Sequence, residues 1–198
     1  MRDVDCVAGQ VQSGGMDSAS PTHWVFGYGS LIWNPGFPFV SSQGGLLGGA
    51  HRALSIYSFH HRGTPEQPGL VFGLARGGSC RGMVFEVAEE NWANVRAYLH
   101  EREQVTNVYR DVFRPVRLAD GRVVQALAFV VDERHAQYAG RLPLERQLEM
   151  VRRSAGISGR NRDYVLNTAR HLAELGIKDR QVMALAALLA REDAPEQP

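Results

Sequence analysis

Apolar positions fall in six short stretches through the first two thirds of the chain and recur at helical spacing through the last third. Trp24–Tyr28 is an apolar run that reads as a strand. Gly48–His60 reads as a second, with Leu54, Ile56, Tyr57 and Phe59 occupying both faces, so that parts of it are buried on both sides. Leu70–Leu74 and Met83–Val87 read as two further strands separated by a turn at Gly77-Gly78-Ser79. Tyr109–Leu118 and Val123–Val131 complete the set, joined across Asp120-Gly121, a strong hairpin signal. Asn34-Pro35-Gly36-Phe37-Pro38 reads as a loop, because its prolines cannot sit in a central strand. The helical pattern appears first over about 88–103, where Glu89 and Glu90 place negative charge in the first turn. It returns from Pro143, a favoured first-turn residue, to about Ala155. A third helix is expected from Ser158, as N-cap, to Leu175 with Gly176 as its stop, and a fourth over Asp179–Ala190. Strands precede most of the helices, which predicts an α+β fold with a largely antiparallel, barrel-like sheet and a helical C-terminal third.

The same pattern sets the domain organisation. Residues 1–22 are rich in Gly, Ser, Asp and Gln without periodicity and are expected to form a flexible N-terminal extension, with Met16 a possible alternative start. Residues 23–190 form one domain, and 191–198 read as a frayed tail with two prolines. Composition changes this picture little. The chain has 198 residues, of which 44% are hydrophobic and 22% charged, ordinary for a globular protein. Net charge is 22 − 21 = +1, which shows no preference for nucleic acid or for a membrane surface. Cys6 and Cys80 have no C-x-x-C partner, so neither a disulfide framework nor a zinc site is expected. No run reaches the roughly 18 apolar residues of a membrane span. The start carries acids and no apolar h-region, so no signal peptide is expected and the protein is placed in the cytoplasm, with a small-molecule ligand and a simple binding role both open.

Two stretches carry candidate chemistry. The first is Gly27-Tyr28-Gly29-Ser30-Leu31, where an apolar strand breaks. Glycine permits positive φ and close approach of backbone to a ligand, and successive N–H groups in such a turn form a cradle for a carboxylate or an oxyanion. A plain tight turn is the simpler reading of the spacing. Ser30 is not a nucleophile by pattern: the stretch fails G-x-S-x-G, and Ile32 occupies the last position of G-x-G-x-x-G.

The second is Glu103. With Trp92 at zero on a helix of about 100° per residue, Leu99 and Val95 lie about 20° and 60° to one side and Glu103 about 20° to the other, whereas Glu101 points away. A carboxylate thus sits on the centre line of an apolar stripe. Desolvation raises the pKa of such a group, and the negative end of the helix dipole raises it again. Both effects suit a general base. The alternatives are an ion pair with a buried arginine, or a helix that ends before 103 and releases the side chain. Other candidates carry less. Adjacent His60 and His61 point to opposite sides of a strand, so a shared metal is not expected. Arg62 is either a clamp for a substrate carboxylate or a surface arginine. Tyr109 and Tyr164 either donate hydroxyl hydrogen bonds in a site or serve as packing.

Four motifs in one order resemble the ChaC-type, glutathione-specific γ-glutamylcyclotransferases over about residues 23–190. They are Val25-Phe26-Gly27-Tyr28-Gly29-Ser30-Leu31-Ile32-Trp33; His60-His61-Arg62-Gly63-Thr64-Pro65 with Pro68-Gly69; Tyr98-Leu99 followed by Arg102-Glu103, Thr106 and Tyr109; and Ser158-Gly159-Arg160-Asn161 with Tyr164. The resemblance implies a γ-glutamylcyclotransferase-like mixed β-barrel with surrounding helices. It implies cleavage of glutathione to 5-oxoproline and cysteinylglycine without metal or cofactor. The family's catalytic glutamate falls on Glu103, its substrate-binding loop on Gly27 to Leu31, and its site tyrosine on Tyr109. The Arg62 motif favours glutathione over other γ-glutamyl amino acids or amines, again by resemblance. Asn107 stands where bacterial relatives tend to carry glycine, and asparagine is the next best residue for a left-handed turn.

Overall fold

The computed structural model describes residues 22–103 and 107–191. The expected extension, apart from Thr22, and the expected tail, apart from Arg191, lie outside the described residues, as do Met16, Cys6 and Thr106. Strands β1 (Thr22–Gly27), β2 (Ser41–Ser58), β3 (Gly69–Ala88), β4 (Tyr109–Leu118) and β5 (Val123–Val131) form a closed barrel in the order β1-β3-β2-β4-β5. Neighbours pair antiparallel except at the seams, where β1 meets β5 in parallel at Trp24↔Ala126 and β3 meets β5 at Leu74↔Val130.

The expected strands at Leu70–Leu74 and Met83–Val87 are one strand of 20 residues, and β2 starts at Ser41 rather than Gly48. The Gly77-Gly78 stretch is therefore no reversal. Both glycines have positive φ (90° and 70°), as does Gly49 (80°) facing them on β2, where the register skips between Gly48 and Ala50. Left-handed residues opposite one another make an irregularity that bends a long ribbon without ending it. Below the bend, Leu47, Val84, Phe85 and Val87 belong to one core with Phe26, Leu127 and Phe129. Above it, Leu54, Leu70 and Phe72 turn outward to a second core.

That second core is covered by α2 (Leu144–Arg153), α3 (Asn161–Glu174) and α4 (Arg180–Ala190). Val165, Leu172, Leu185 and Leu189 are each at most 1% exposed there, and each such side chain contributes roughly 1.5–3 kcal/mol by leaving water. Asp179 caps α4 by accepting from Val182 N at 3.2 Å, and Gly176 (φ 67°) ends α3 as expected. Ser158 does not cap α3. The helix starts three residues later, because Ala155–Gly156 (β6) and Gly159–Arg160 (β7) pair as a hairpin around Ile157-Ser158, with Gly159 at φ 96°. The remaining helix, α1 (Glu89–Glu103), lays Val95 and Leu99 on the barrel and carries Glu103 as its last described residue.

Candidate active site

A cleft of about 360 Å³ opens between the barrel and α3. All four sequence motifs meet in it: Tyr28–Leu31 from the end of β1, His60–Arg62 from the loop after β2, Arg102 and Glu103 from the end of α1, Tyr109 from the start of β4, and Ser158 and Tyr164 from the hairpin and α3.

At the end of β1 the chain enters a short 3₁₀ turn, Ser30–Ile32, in which Ile32 N donates to Gly29 O at 3.0 Å and Trp33 N to Ser30 O at 3.2 Å. The N–H groups of Ser30 and Leu31 precede the first of these bonds and so have no partner within the turn. Neither Gly27 nor Gly29 takes positive φ, contrary to the sequence expectation: Gly29 has φ −119°. Gly27 is needed for space, since a Cβ there would lie 3.1 Å from both the Leu31 and Phe85 side chains. The opposite wall of the loop rests on Trp33, whose ring stacks on His171 of α3 at 5.1 Å.

Glu103 is the last residue of α1, and its side chain is 17% exposed, whereas Glu101 is exposed. Burial raises its pKa above the usual carboxylate range, opposed by the neighbouring Arg102. The Arg102 Nε lies 3.5 Å from Glu103 Oε1, but its other nitrogens are spent on the loop. Nη1 donates to Asn34 O (2.7 Å), Pro35 O (3.1 Å) and the Tyr98 hydroxyl (2.9 Å), and Nη2 to Ser30 Oγ (2.9 Å). This is the arginine that sequence reasoning set against a base. It clamps the signature loop to the end of α1 and leaves the carboxylate's pKa raised.

Three tyrosines complete the floor. Tyr109 donates its hydroxyl to Phe72 O at 3.0 Å, and Phe72 N donates to the Tyr164 hydroxyl at 3.2 Å. The Tyr28, Tyr109 and Tyr164 phenols are all pushed up, first by burial; Tyr164 reaches about 12, and Tyr28 is raised further by Tyr109 and Glu103. Asn107 immediately precedes Val108 and Tyr109 with φ 54°, the left-handed turn that its identity suits.

Arg62 is not a plain surface residue. It is half-buried, donates to the Ser158 carbonyl, and lies over the Tyr164 ring at 5.1 Å. Burial lowers its pKa and also that of His61, which neighbouring His60, Arg62 and Arg102 lower further. His60 and His61 sit past the end of β2 with rings edge to face at 5.2 Å, and His61 Nδ1 meets Ser158 Oγ at 3.0 Å. Gly156 lets the hairpin dock here, because a Cβ would lie 2.2 Å from His60 O.

Sequence reasoning missed Arg52. Its guanidinium is buried and bonds Tyr28 O (Nε, 2.5 Å), Arg81 O (Nη2, 2.7 Å) and Asp179 Oδ2 (Nη1, 2.8 Å), so one side chain joins the signature loop, β3 and the cap of α4. The signal was present: Arg52 shares the buried parity of Ala50 and Leu54 on β2, a charge on an apolar face like Glu103. Asn161 was read only as part of a motif. It is fully buried and bonds both polar groups of Leu70, at 2.7 Å each.

The model of the ChaC-like proteins matches residues 23–192. The chain belongs to the ChaC-like family. This ChaC-like chain is 35% identical over 156 residues to the glutathione-specific gamma-glutamylcyclotransferase of Escherichia coli strain K12, covering 79% of this chain and 68% of that protein. It is 36% identical over 171 residues to gamma-glutamylcyclotransferase 2-3 of Arabidopsis thaliana, covering 82% and 86%. Its fold matches the crystal structure of a yeast γ-glutamyl cyclotransferase specific to glutathione with a TM-score of 0.79, at 22% identity and over 86% of this chain and 96% of that one. The γ-glutamylcyclotransferase-like barrel expected from the motifs is thus the fold of this ChaC-like chain. None of its described helices is long and apolar enough to cross a membrane.

Proposed function

We propose that this chain degrades glutathione by intramolecular cyclisation, releasing 5-oxoproline and cysteinylglycine, with Glu103 as general acid and base. The observation that carries the reading is the partly desolvated Glu103 carboxylate sharing one cleft with the Tyr28–Leu31 loop. An α-amine with a pKa of about 7.7–8.0 is mostly protonated at neutral pH and cannot attack. Glu103 takes its proton. The freed nitrogen then bonds to the γ-carbon of its own side chain, and the carbonyl π electrons move onto oxygen. On collapse the bond to the cysteine nitrogen breaks and Glu103 gives its proton to that nitrogen; the ring nitrogen, still carrying two protons, then loses one through Glu103 to the released amine, which leaves as an ammonium. Nucleophile and electrophile belong to one molecule, so the site chiefly folds the substrate into reacting geometry. The Ser30 and Leu31 N–H groups, without a partner inside the turn, hold the α-carboxylate or the developing oxyanion. Tyr109 lines the same cleft, and the Arg62 guanidinium makes its outer rim cationic, which suits a peptide bearing a second carboxylate.

The test is 5-oxoproline release from glutathione, from a γ-glutamyl amino acid and from a γ-glutamylamine, by wild type and Glu103→Gln. Turnover of glutathione that Glu103→Gln abolishes supports the reading. Preference for the other γ-glutamyl compounds moves the substrate assignment. Tight glutathione binding in calorimetry without product makes the chain a binding domain.

A further inference from the structure

The two tyrosines anchored on Phe72 have opposite hydrogen-bonding polarity. The Phe72 carbonyl can only accept, so the Tyr109 proton is spent on it and Tyr109 presents lone pairs to the cleft. The Phe72 N–H can only donate, so the Tyr164 oxygen is held as an acceptor and its proton must point elsewhere. Among the described residues nothing accepts that proton. The Tyr164 hydroxyl borders the signature loop, since a Cβ on Gly29 would lie 3.5 Å from it. One residue of β3 therefore fixes an acceptor and a donor in the cleft that Glu103 also lines.

We propose that Tyr164 is a catalytic residue that donates its hydroxyl hydrogen bond to the γ-carbonyl oxygen of the γ-glutamyl group as that oxygen becomes anionic, while Tyr109 accepts from the attacking amine. This inference rests on the cyclisation reading above. Ring closure needs the amine nitrogen and the carbonyl carbon about 3–3.5 Å apart, so an acceptor and a donor anchored on one residue match the two reacting groups. A neutral donor suits an oxygen that is uncharged in the bound substrate and charged only in the transition state. No proton leaves Tyr164: the nitrogen–carbon bond forms, charge develops on oxygen, the hydroxyl stabilises it, and charge returns on collapse as the bond to the leaving amine breaks. The phenol, pushed up to about 12, keeps its proton across the working range, and Arg62 over its ring strengthens it as a donor.

Replacing Tyr164→Phe removes the donor but also strips Phe72 N–H of its acceptor, so a second variant separates the roles. A fluorinated, more acidic tyrosine placed at 164 alone still accepts from Phe72 N–H when ionised, but no longer donates. In the full-length chain with glutathione, Tyr164→Phe is expected to lower kcat by on the order of 10²–10³-fold with KM within a few fold. The fluorinated variant is expected to lose kcat as pH rises through the analogue's own ionisation, with melting temperature unchanged, while wild type holds its rate. Wild-type turnover with an unimpaired Tyr164→Phe, a rise in KM alone, or a fluorinated variant indifferent to its own titration overturns this inference and leaves the proposed function standing. A wild-type chain that makes no 5-oxoproline from any γ-glutamyl compound overturns both.

Discussion

Replacing Glu103 by glutamine removes a proton acceptor and almost nothing else. The two side chains have nearly the same shape, the site lies at the end of α1, and Arg102 keeps its four bonds to Ser30, Asn34, Pro35 and Tyr98. Loss of general acid–base catalysis costs 10²–10⁴-fold, about 2.7–5.5 kcal/mol of barrier at about 1.36 kcal/mol per tenfold. The release of 5-oxoproline from glutathione should fall by that factor in kcat while KM stays within a few fold. Stability should move the other way. Burial raises the Glu103 pKa in the folded chain above its unfolded value, so the ionised carboxylate opposes folding. This opposition is absent below the unfolded pKa of about 4.3, grows as pH rises toward the folded pKa, and is constant above it. Glu103→Gln should therefore match wild type in melting temperature near about pH 4 and melt higher than wild type at neutral pH. In wild type, the rising limb of kcat/KM against pH should sit above the ordinary carboxylate range. A variant within a few fold of wild-type kcat, or one that melts lower at neutral pH, would refute the assignment of a desolvated base.

Three further substitutions probe the frame around it. Ser30→Ala loses one Arg102 bond and no reacting group, so kcat should fall by no more than about tenfold, the worth of roughly one hydrogen bond; abolished activity would restore Ser30 as a nucleophile. Arg52→Met leaves Asp179 and the Tyr28 carbonyl without their partner, and breaking a buried ion pair from one side costs about 3–5 kcal/mol, to be read as a lower urea midpoint. Asn161→Leu strands both polar groups of Leu70, at about 1–3 kcal/mol for each buried unsatisfied group; an unchanged urea midpoint would mean those groups find other partners.

The parts legible in advance were those whose cause is local. The Asp120-Gly121 hairpin, the Gly176 stop and the left-handed Asn107 follow from which residues tolerate positive φ. Glu103 was found because helical period alone puts its side chain on the apolar face. The Gly77-Gly78 stretch shows where local reasoning ends. The same positive φ serves a reversal or a bend in a continuing ribbon, and only the pairing of Gly69–Ala88 along Ser41–Ser58 decides between them. Ser158 fails in the same way: its hydroxyl goes to His61, 97 positions earlier, rather than to its own helix.

By itself the sequence determined most of the strand and helix segments, the displaced carboxylate and the glycine loop that ends the first strand, because periodicity and turn chemistry act within a few residues. The tertiary structure alone decided that β2 and β3 run as one bent ribbon, that a buried Arg52 ties the loop to α4, and that Tyr109 and Tyr164 present opposite polarity to the cleft. Those features depend on satisfying buried polar groups of Tyr28, Leu70 and Phe72 with partners 24 to 92 positions away. Such partners are chosen by how the barrel closes and the helices cover it, and no local pattern in the chain encodes them.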